Sequence, residues 1–328
     1  MTPNLQPAEV GEAAVADAVA HCHRWLEDHA DEARRLLEAL YDDQEKLGIA
    51  FADGPIPTFL RPCFLTPRQD RRVQRSAELV LACAERVIRA LPENDEVRRL
   101  IGLDPEEERL ACLPSGLPRQ VLVARPDALM VGEDVRFIEL NADSPAGVAW
   151  TDQREEVFQE LPFLADAPFA ERLRGSCCRS FLAEAMREAL WYHAGSEAAS
   201  LAIVDWRDVK TRYEFKAVKR FFDASGLPTV IADPRELELR GDSLYANGTP
   251  INVIYRRVII KELLARRDEP GVRDLLTAYE KGYVCVVNPF GAKVPGQKSF
   301  FAILSDERFD GLFSDAQNEM KRECIPFT

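Results

Sequence analysis

The chain has 328 residues, a length that predicts two or three domains. Its content of 46% hydrophobic and 30% charged residues predicts an ordinary globular protein with a substantial core. Its net charge of −13 argues against a general nucleic-acid binder, which needs a basic stripe, and against electrostatic attachment to a membrane. The eight cysteines form no C-x-x-C pair, and the N-terminus lacks the pattern of a signal peptide. We therefore predict a cytoplasmic protein with reduced thiols, no nucleic-acid partner and no membrane partner.

Residues 1–115 are predicted to form a helical N-terminal region. Apolar residues recur at helical spacing from Ala13 to Leu40 and again from Arg68 to Leu91, where Pro92 stops the pattern. The turn-forming segment 114–118, Pro-Ser-Gly-Leu-Pro, then marks a boundary.

A β-hairpin is predicted between Val121 and Gly147. Gly132-Glu133-Asp134 is a turn signal with apolar-rich runs on both sides, and a three-residue loop there would pair Val131 with Val135.

The same register places charged and amide side chains together at the end of the hairpin away from its turn. It puts Asp127 opposite Glu139 and Arg125 opposite Asn141, all on one face, because side chains alternate along a strand and opposed residues share a face. Carboxylate and amide oxygens suit a magnesium ion, and the arginine suits a phosphate. The alternative is a solvated hairpin face, since Pro126 is compatible with an edge strand.

A small α/β unit follows. Leu201–Asp205 and Pro228–Ala232 are predicted strands, joined by a helix from Thr211 to Ala224. This spacing fits two parallel strands with a crossover helix, and the absence of G-x-G-x-x-G argues against a dinucleotide site.

Four further residues are candidates for binding. Asp143 and Ser144 follow the hairpin on a loop, where they contact a substrate or bond their own backbone. Lys298 lies at a predicted helix start, where the helix dipole disfavours a cation. This mismatch indicates a functional lysine, and the alternative is an exposed surface residue. At the end of a strand, one of Arg256 and Arg257 is expected to face a phosphate and the other to be a surface charge.

The pattern Arg-x-Asp followed by Glu-x-Asn-Ala-Asp-x-Pro at this separation resembles the circularly permuted ATP-grasp enzymes typified by glutathionylspermidine synthetase. The resemblance implies that Asp127, Glu139 and Asn141 hold magnesium ions bridging the phosphates of ATP, and that Arg125 lies beside the transferred phosphoryl group. Segments 252–257 and 287–302 also resemble the family, and imply that Arg257 and Lys298 approach the nucleotide.

The resemblance implies a mixed α/β (α+β) fold. After the helical region, it predicts the first segment of an ATP-grasp catalytic domain with the metal-binding hairpin at 116–197. A small Rossmann-like, pre-ATP-grasp-like unit follows at 198–260, and the start of a nucleotide-binding lid at 261–328.

The implied function is an ATP- and magnesium-dependent ligase that joins a small-molecule carboxylate to an amine through an acyl phosphate. In the family, the second half of the lid follows the segment that resembles 323–328, so we expect this chain to be a fragment that is inactive alone. Two alternatives stay open: an inactive ATP-grasp relative that acts as a binding or scaffold protein, and a metal-dependent hydrolase. The sequence fixes neither the substrates nor the oligomeric state.

Overall fold

The computed structural model describes residues 11–52, 54–195 and 200–327. Its N-terminal part is helical as predicted, although residues 1–10 of that region lie outside the described residues. The elements are α1 (Glu12–Asp28), α2 (Ala30–Leu47), the short antiparallel strands β1 (Ala50–Phe51) and β2 (Gly54–Pro55), α3 (Pro67–Ala90), α4 (Asp95–Ile101) and α5 (Pro105–Ala111).

The stretch from Ala13 to Leu40 is helical as predicted, but it is divided between two helices, and the second continues to Leu47. His29 leaves the helical conformation (φ −124°, ψ 41°), and its Nδ1 lies 2.9 Å from the Trp25 carbonyl, so the chain turns between α1 and α2. Helix α3 matches its prediction closely, because Thr66 and Gln69 form a capping box at its start and Pro67 occupies the first turn.

The predicted hairpin is present as β3 (Arg125–Val131) and β4 (Asp134–Asn141). Its turn has two residues, not the predicted three, so Val131 pairs with Asp134 and not with Val135. A bulge at Ile138 then shifts the register by one residue. Beyond the bulge Asp127 pairs with Glu139, as the sequence predicts.

Three helices follow the hairpin: α6 (Val148–Gln159), α7 (Pro162–Ala165) and α8 (Cys178–Ala194), with a 3-10 turn at Ala170–Arg172 between the last two. The side chains of Val135, Phe137 and Leu140 point from β4 into a core that includes residues of α3 and of two later helices, Ser299–Ser305 and Asp315–Cys324. The hairpin is thus held on one face by helices from both ends of the chain.

The α/β unit contains a four-stranded parallel sheet in the order β11-β10-β5-β6. Its strands are β5 (Leu201–Val204), β6 (Thr229–Ala232), β10 (Val253–Arg256) and β11 (Cys285–Val287), and α9 (Arg212–Ala224) is the crossover helix between β5 and β6. The predicted strand–helix–strand unit is therefore confirmed. Because β11 comes from beyond residue 260, the sheet joins segments on both sides of the boundary expected there.

The remaining strands and α-helices cover this sheet and the hairpin. They are the antiparallel strands β7 (Leu237–Arg240), β8 (Ser243–Ala246) and β9 (Thr249–Ile251), and the helices α10 (Ile260–Ala265), α11 (Pro270–Glu280), α12 (Ser299–Ser305) and α13 (Asp315–Cys324). One face of the parallel sheet packs with α11, and the other with α8 and α9. Within the described ranges, no helix is long and apolar enough to cross a membrane.

Candidate functional site

The four residues singled out from the hairpin lie together at its open end, the end away from the turn. Arg125 pairs with Asn141 and Asp127 with Glu139 on the two strands. We call these four residues the hairpin site. They are partly exposed, whereas the neighbouring Leu140 is buried in the core. The hairpin thus presents its polar face at the surface while its apolar face anchors it.

Hydrogen bonds link the four side chains. Arg125 Nε donates to Asp127 Oδ1 at 3.0 Å, and its Nη1 donates to the Ala146 carbonyl at 3.0 Å. The amide orientation of Asn141 that satisfies both neighbours has its oxygen accepting from Arg125 Nη2 and its nitrogen donating to Glu139 Oε1, each at 3.0 Å. The arginine therefore offsets the charge of Asp127, and Asn141 links it to Glu139.

Lys298 reaches the same site from a different part of the chain. It lies just before α12, and its Nζ is 3.6 Å from Glu139 Oε2. The side chain is 82% exposed, so nothing in the core requires a lysine there. The predicted helix start is confirmed, and the fold brings Lys298 to the carboxylates of the hairpin.

Asp143 and Ser144 lie on the loop after β4, and both side chains contact protein groups. The Asp143 carboxylate lies 2.8 Å from Arg256 Nη2 and 3.8 Å from Lys293 Nζ. Ser144 Oγ donates to the Arg257 carbonyl. These contacts tie the loop to the end of β10, directly beside the hairpin site.

Arg256 and Arg257 are both buried, which corrects the expectation that one of them is a surface charge. Arg256 stacks on Phe290 and pairs with Asp143. Arg257 donates to the Pro145 carbonyl and lies 3.6 Å from Glu214. Neighbouring side chains on a strand point to opposite faces, but neither arginine is exposed here. The loop after the hairpin and helix α9 cover the end of β10.

Two residues that hold this region together have no assigned role in the sequence reasoning. Glu214 accepts hydrogen bonds from the N–H groups of Gly147 and Ala149, at 2.8 and 3.3 Å, and so fixes the start of α6. Asn288 bonds the backbone on both sides of the hairpin. In the sequence, Glu214 is recognisable as an acid within the amphipathic helix α9, and Asn288 as an asparagine directly after a buried strand.

A separate cleft of about 420 Å³ lies where β5 and β6 end. Asp205, the acid that follows β5, lines it and is only 8% exposed. Burial raises the pKa of this carboxyl to about 7, against the opposing influence of the Trp206 N–H and of Arg257. Crevices at the carboxyl ends of parallel strands are common ligand sites, so this cleft is a second place where the sheet can bind a small molecule.

The donor atoms of the hairpin site suit a hard cation. Asp127 and Glu139 supply carboxylates, and Asn141 supplies an amide oxygen if its side chain turns from Arg125. Within the described ranges, no three His, Cys, Asp or Glu side chains form a ready metal cluster. Magnesium commonly keeps several waters and takes phosphate oxygens as ligands, so two carboxylates and an amide are enough for a site shared with a nucleotide.

The sequence matches no protein-family model and no curated protein. The architecture is a mixed α/β fold consistent with that of glutathione synthetase-like proteins. Among solved structures, the chain is similar to an apo glutathione synthetase-like effector, GSS30, from Globodera pallida. The likeness has a TM-score of 0.62 at 12% identity and covers 89% of this chain and 71% of that one. At this identity the likeness shows the fold alone.

Proposed function

We propose that the chain binds magnesium and ATP at the hairpin site and that it acts as a carboxylate–amine ligase of the ATP-grasp type. The observation that carries the proposal is the direct pairing of Asp127 with Glu139, with Arg125, Asn141 and Lys298 around them. Opposed acids on paired strands repel each other unless a cation lies between them. In the free site Arg125 and Lys298 offset part of this repulsion, and a magnesium ion bound between the two carboxylates would offset it further.

The surrounding charges fit a polyphosphate. Arg125 supplies a planar guanidinium that can hold two phosphate oxygens, and Lys298 supplies a mobile point charge on a long, exposed side chain. When phosphate oxygens and magnesium occupy the site, the two cations can leave Asp127 and Glu139 and turn to the phosphates. In the free site, these exposed ion pairs are weak. They therefore keep Arg125 and Lys298 near the site and compete little with a bound phosphate.

In the proposed reaction, the carboxylate of one substrate attacks the γ-phosphorus of ATP, a new O–P bond forms, and ADP leaves with the electrons of the bond that breaks. Bound magnesium would neutralise the phosphate oxygens. Arg125 would hold the transferring group in line and stabilise its charge, and Lys298 would hold the nucleotide. The amine of the second substrate then forms the amide bond at the acyl carbon and loses a proton, and phosphate departs.

The loop after β4 is the proposed substrate side of the site. Asp143 and Ser144 are its candidate contacts, and Arg257 is a further candidate for the nucleotide. All three residues contact other protein groups, so this side of the site would be held rigid against a bound substrate. Arg257 is the weaker candidate because its guanidinium already contacts Pro145 and Glu214.

A protein that binds a nucleotide without turning it over is the second candidate. It is favoured by the exposure of the hairpin site, since phosphoryl transfer requires a closed site that excludes water. The structural neighbour is described as an effector, which names no reaction.

The test is to titrate the chain with ATP in the presence of magnesium and of EDTA by calorimetry, and then to measure ADP release over a panel of carboxylates and amines. Magnesium-dependent binding with ADP release only when both substrates are present supports the ligase. Binding without turnover supports the second candidate. Hydrolysis of a substrate without ATP supports a metal-dependent hydrolase, and the absence of magnesium-dependent binding overturns the proposal.

A further inference from the structure

We infer that Asn288 is a positioning residue that holds the hairpin site in its binding geometry; the inference rests on the proposed function. Asn288 directly follows β11 and is only 2% exposed. Its Oδ1 accepts the N–H groups of Leu122 and Val123 at 2.9 and 3.0 Å. Its Nδ2 donates to the carbonyls of Val123 and Ala142 at 2.6 and 2.7 Å. The side-chain oxygen of Asn288 thus accepts two hydrogen bonds, and the side-chain nitrogen donates both of its hydrogens.

These four bonds join the two backbone segments that enter and leave the open end of the hairpin. Val123 lies two residues before Arg125, and Ala142 directly follows Asn141. A two-stranded hairpin is marginally stable by itself, and its strands separate most easily at the end without a turn. One buried side chain that bonds both segments therefore fixes the distance between Arg125 and Asn141.

Asn288 is itself held from the neighbouring strand. Arg256, at the end of β10, donates through Nε to the Asn288 carbonyl at 3.2 Å and through Nη2 to the Asp143 carbonyl at 2.8 Å. The carboxyl ends of β10 and β11 thus form a platform under the open end. The arrangement corresponds to the outer hydrogen bonds that orient metal ligands in metalloproteins, whose loss typically lowers metal affinity about 10- to 100-fold.

The opposite end of the hairpin offers a matched control. Gln69 Nε2 donates to the Gly132 carbonyl at 2.8 Å, so it anchors the turn as Asn288 anchors the open end. Gln69 is also a buried amide whose loss removes bonds to backbone, including one to Thr66. Variants at the two positions should lose similar stability but loosen opposite ends of the same hairpin.

The experiment compares Asn288→Ala and Gln69→Ala by the affinity for ATP with magnesium chloride and by the thermal midpoint of unfolding. We expect about a tenfold or larger loss of affinity for Asn288→Ala and less than about a twofold change for Gln69→Ala at a comparable thermal midpoint. Asn288→Asp keeps the side-chain volume and the acceptor oxygen but lacks the two amide hydrogens. It replaces Asn288→Ala in the same measurements if the alanine variant does not fold. Equal losses in the two alanine variants, or an unchanged affinity in the Asn288 variants, would overturn the inference.

Amide hydrogen exchange without nucleotide separates this inference from the proposed function. In Asn288→Ala, the amides of Arg125, Asp127 and 139–141 should exchange faster while those of 129–131 and 134–136 keep their rates. Gln69→Ala should give the reverse pattern. If the wild type binds no nucleotide, the proposed function fails, yet this exchange pattern still decides whether Asn288 holds the open end. Unchanged exchange at Arg125, Asp127 and 139–141 would show that it does not.

Discussion

The buried Arg256 and the partly buried Asp143 form an ion pair, 2.8 Å between Nη2 and Oδ1, that connects the end of strand β10 to the loop after the hairpin. The same guanidinium donates to the backbone carbonyls of Val258 and Asn288. The arginine is 1% exposed, so its charge depends entirely on these protein partners. Together with Asn288, this side chain joins the α/β sheet to the segments beside the hairpin site.

Replacing Arg256 should therefore be among the most destabilising changes in the protein. Arg256→Ala leaves Asp143 with the more distant Lys293 and leaves three backbone carbonyls without this donor. Removing one member of a buried pair costs about 3–5 kcal/mol. Denaturant unfolding would measure the loss. Arg240→Ala is the control, because its pair with Glu238 is exposed on both sides and should contribute little to stability. Similar losses in the two variants would contradict the structural role of Arg256.

Neutralising the two opposed acids should abolish magnesium-dependent nucleotide binding while the fold persists. Asp127→Asn with Glu139→Gln keeps the shape of the side chains and removes both negative charges, so a cation loses its main ligands. Calorimetry with ATP and magnesium measures binding, and circular dichroism checks the fold. Asp134→Asn, an exposed acid at the turn end of β4, should bind as the wild type does. Unchanged binding in the double variant would rule out the hairpin as the metal site.

Lys298→Ala should weaken nucleotide binding without weakening the fold. The side chain is 82% exposed, so unfolding should change by no more than about 0.5 kcal/mol. A lost charge-assisted contact to a phosphate is worth about 1.5–3 kcal/mol, which is an affinity loss of about tenfold or more. Lys261→Ala, at an exposed lysine of α10, should change neither quantity. An affinity equal to that of the wild type would place Lys298 outside the nucleotide site.

Asp205 should make the stability depend on pH in a direction opposite to that of most acids. Its pKa is about 7 in the folded protein, while the ordinary pKa of an aspartate is 3.8. The folded state therefore holds the proton more tightly, and this contribution is fully present below about pH 4 and is lost as the pH rises to about 7. The causes are burial first, and then Glu262, which outweigh the Trp206 N–H and the two arginines that favour ionisation.

The measurement is the free energy of unfolding of the wild type and of Asp205→Asn at a series of pH values. The variant keeps the oxygen that accepts the Trp206 N–H but carries no charge. We expect the variant to gain on the wild type between about pH 4 and pH 7, by on the order of 3 kcal/mol. A difference that does not vary with pH would mean that Asp205 does not titrate near 7.

The pairing of Asp127 with Glu139 was accessible from local sequence, although the reasoning about the turn was wrong by one residue. A two-residue turn and a one-residue bulge at Ile138 compensate each other, and the pairing beyond the bulge is the predicted one. The sequence itself carries the cause: the buried positions Val135, Phe137 and Leu140 are spaced by two and then by three residues. Keeping all three on the core face requires an extra residue between them.

The β-α-β unit was equally readable, because a short apolar strand, an amphipathic helix and a second strand are local patterns. The sequence by itself thus determined the elements and the face on which the site residues lie. Only the tertiary structure decided the burial of Arg256 and Arg257 and the bonds of Asn288. Their partners, Asp143, Pro145 and Ala142, lie more than a hundred residues away along the chain. Local periodicity cannot identify such partners, because it is the packing of the whole chain that brings the end of the parallel sheet against the hairpin.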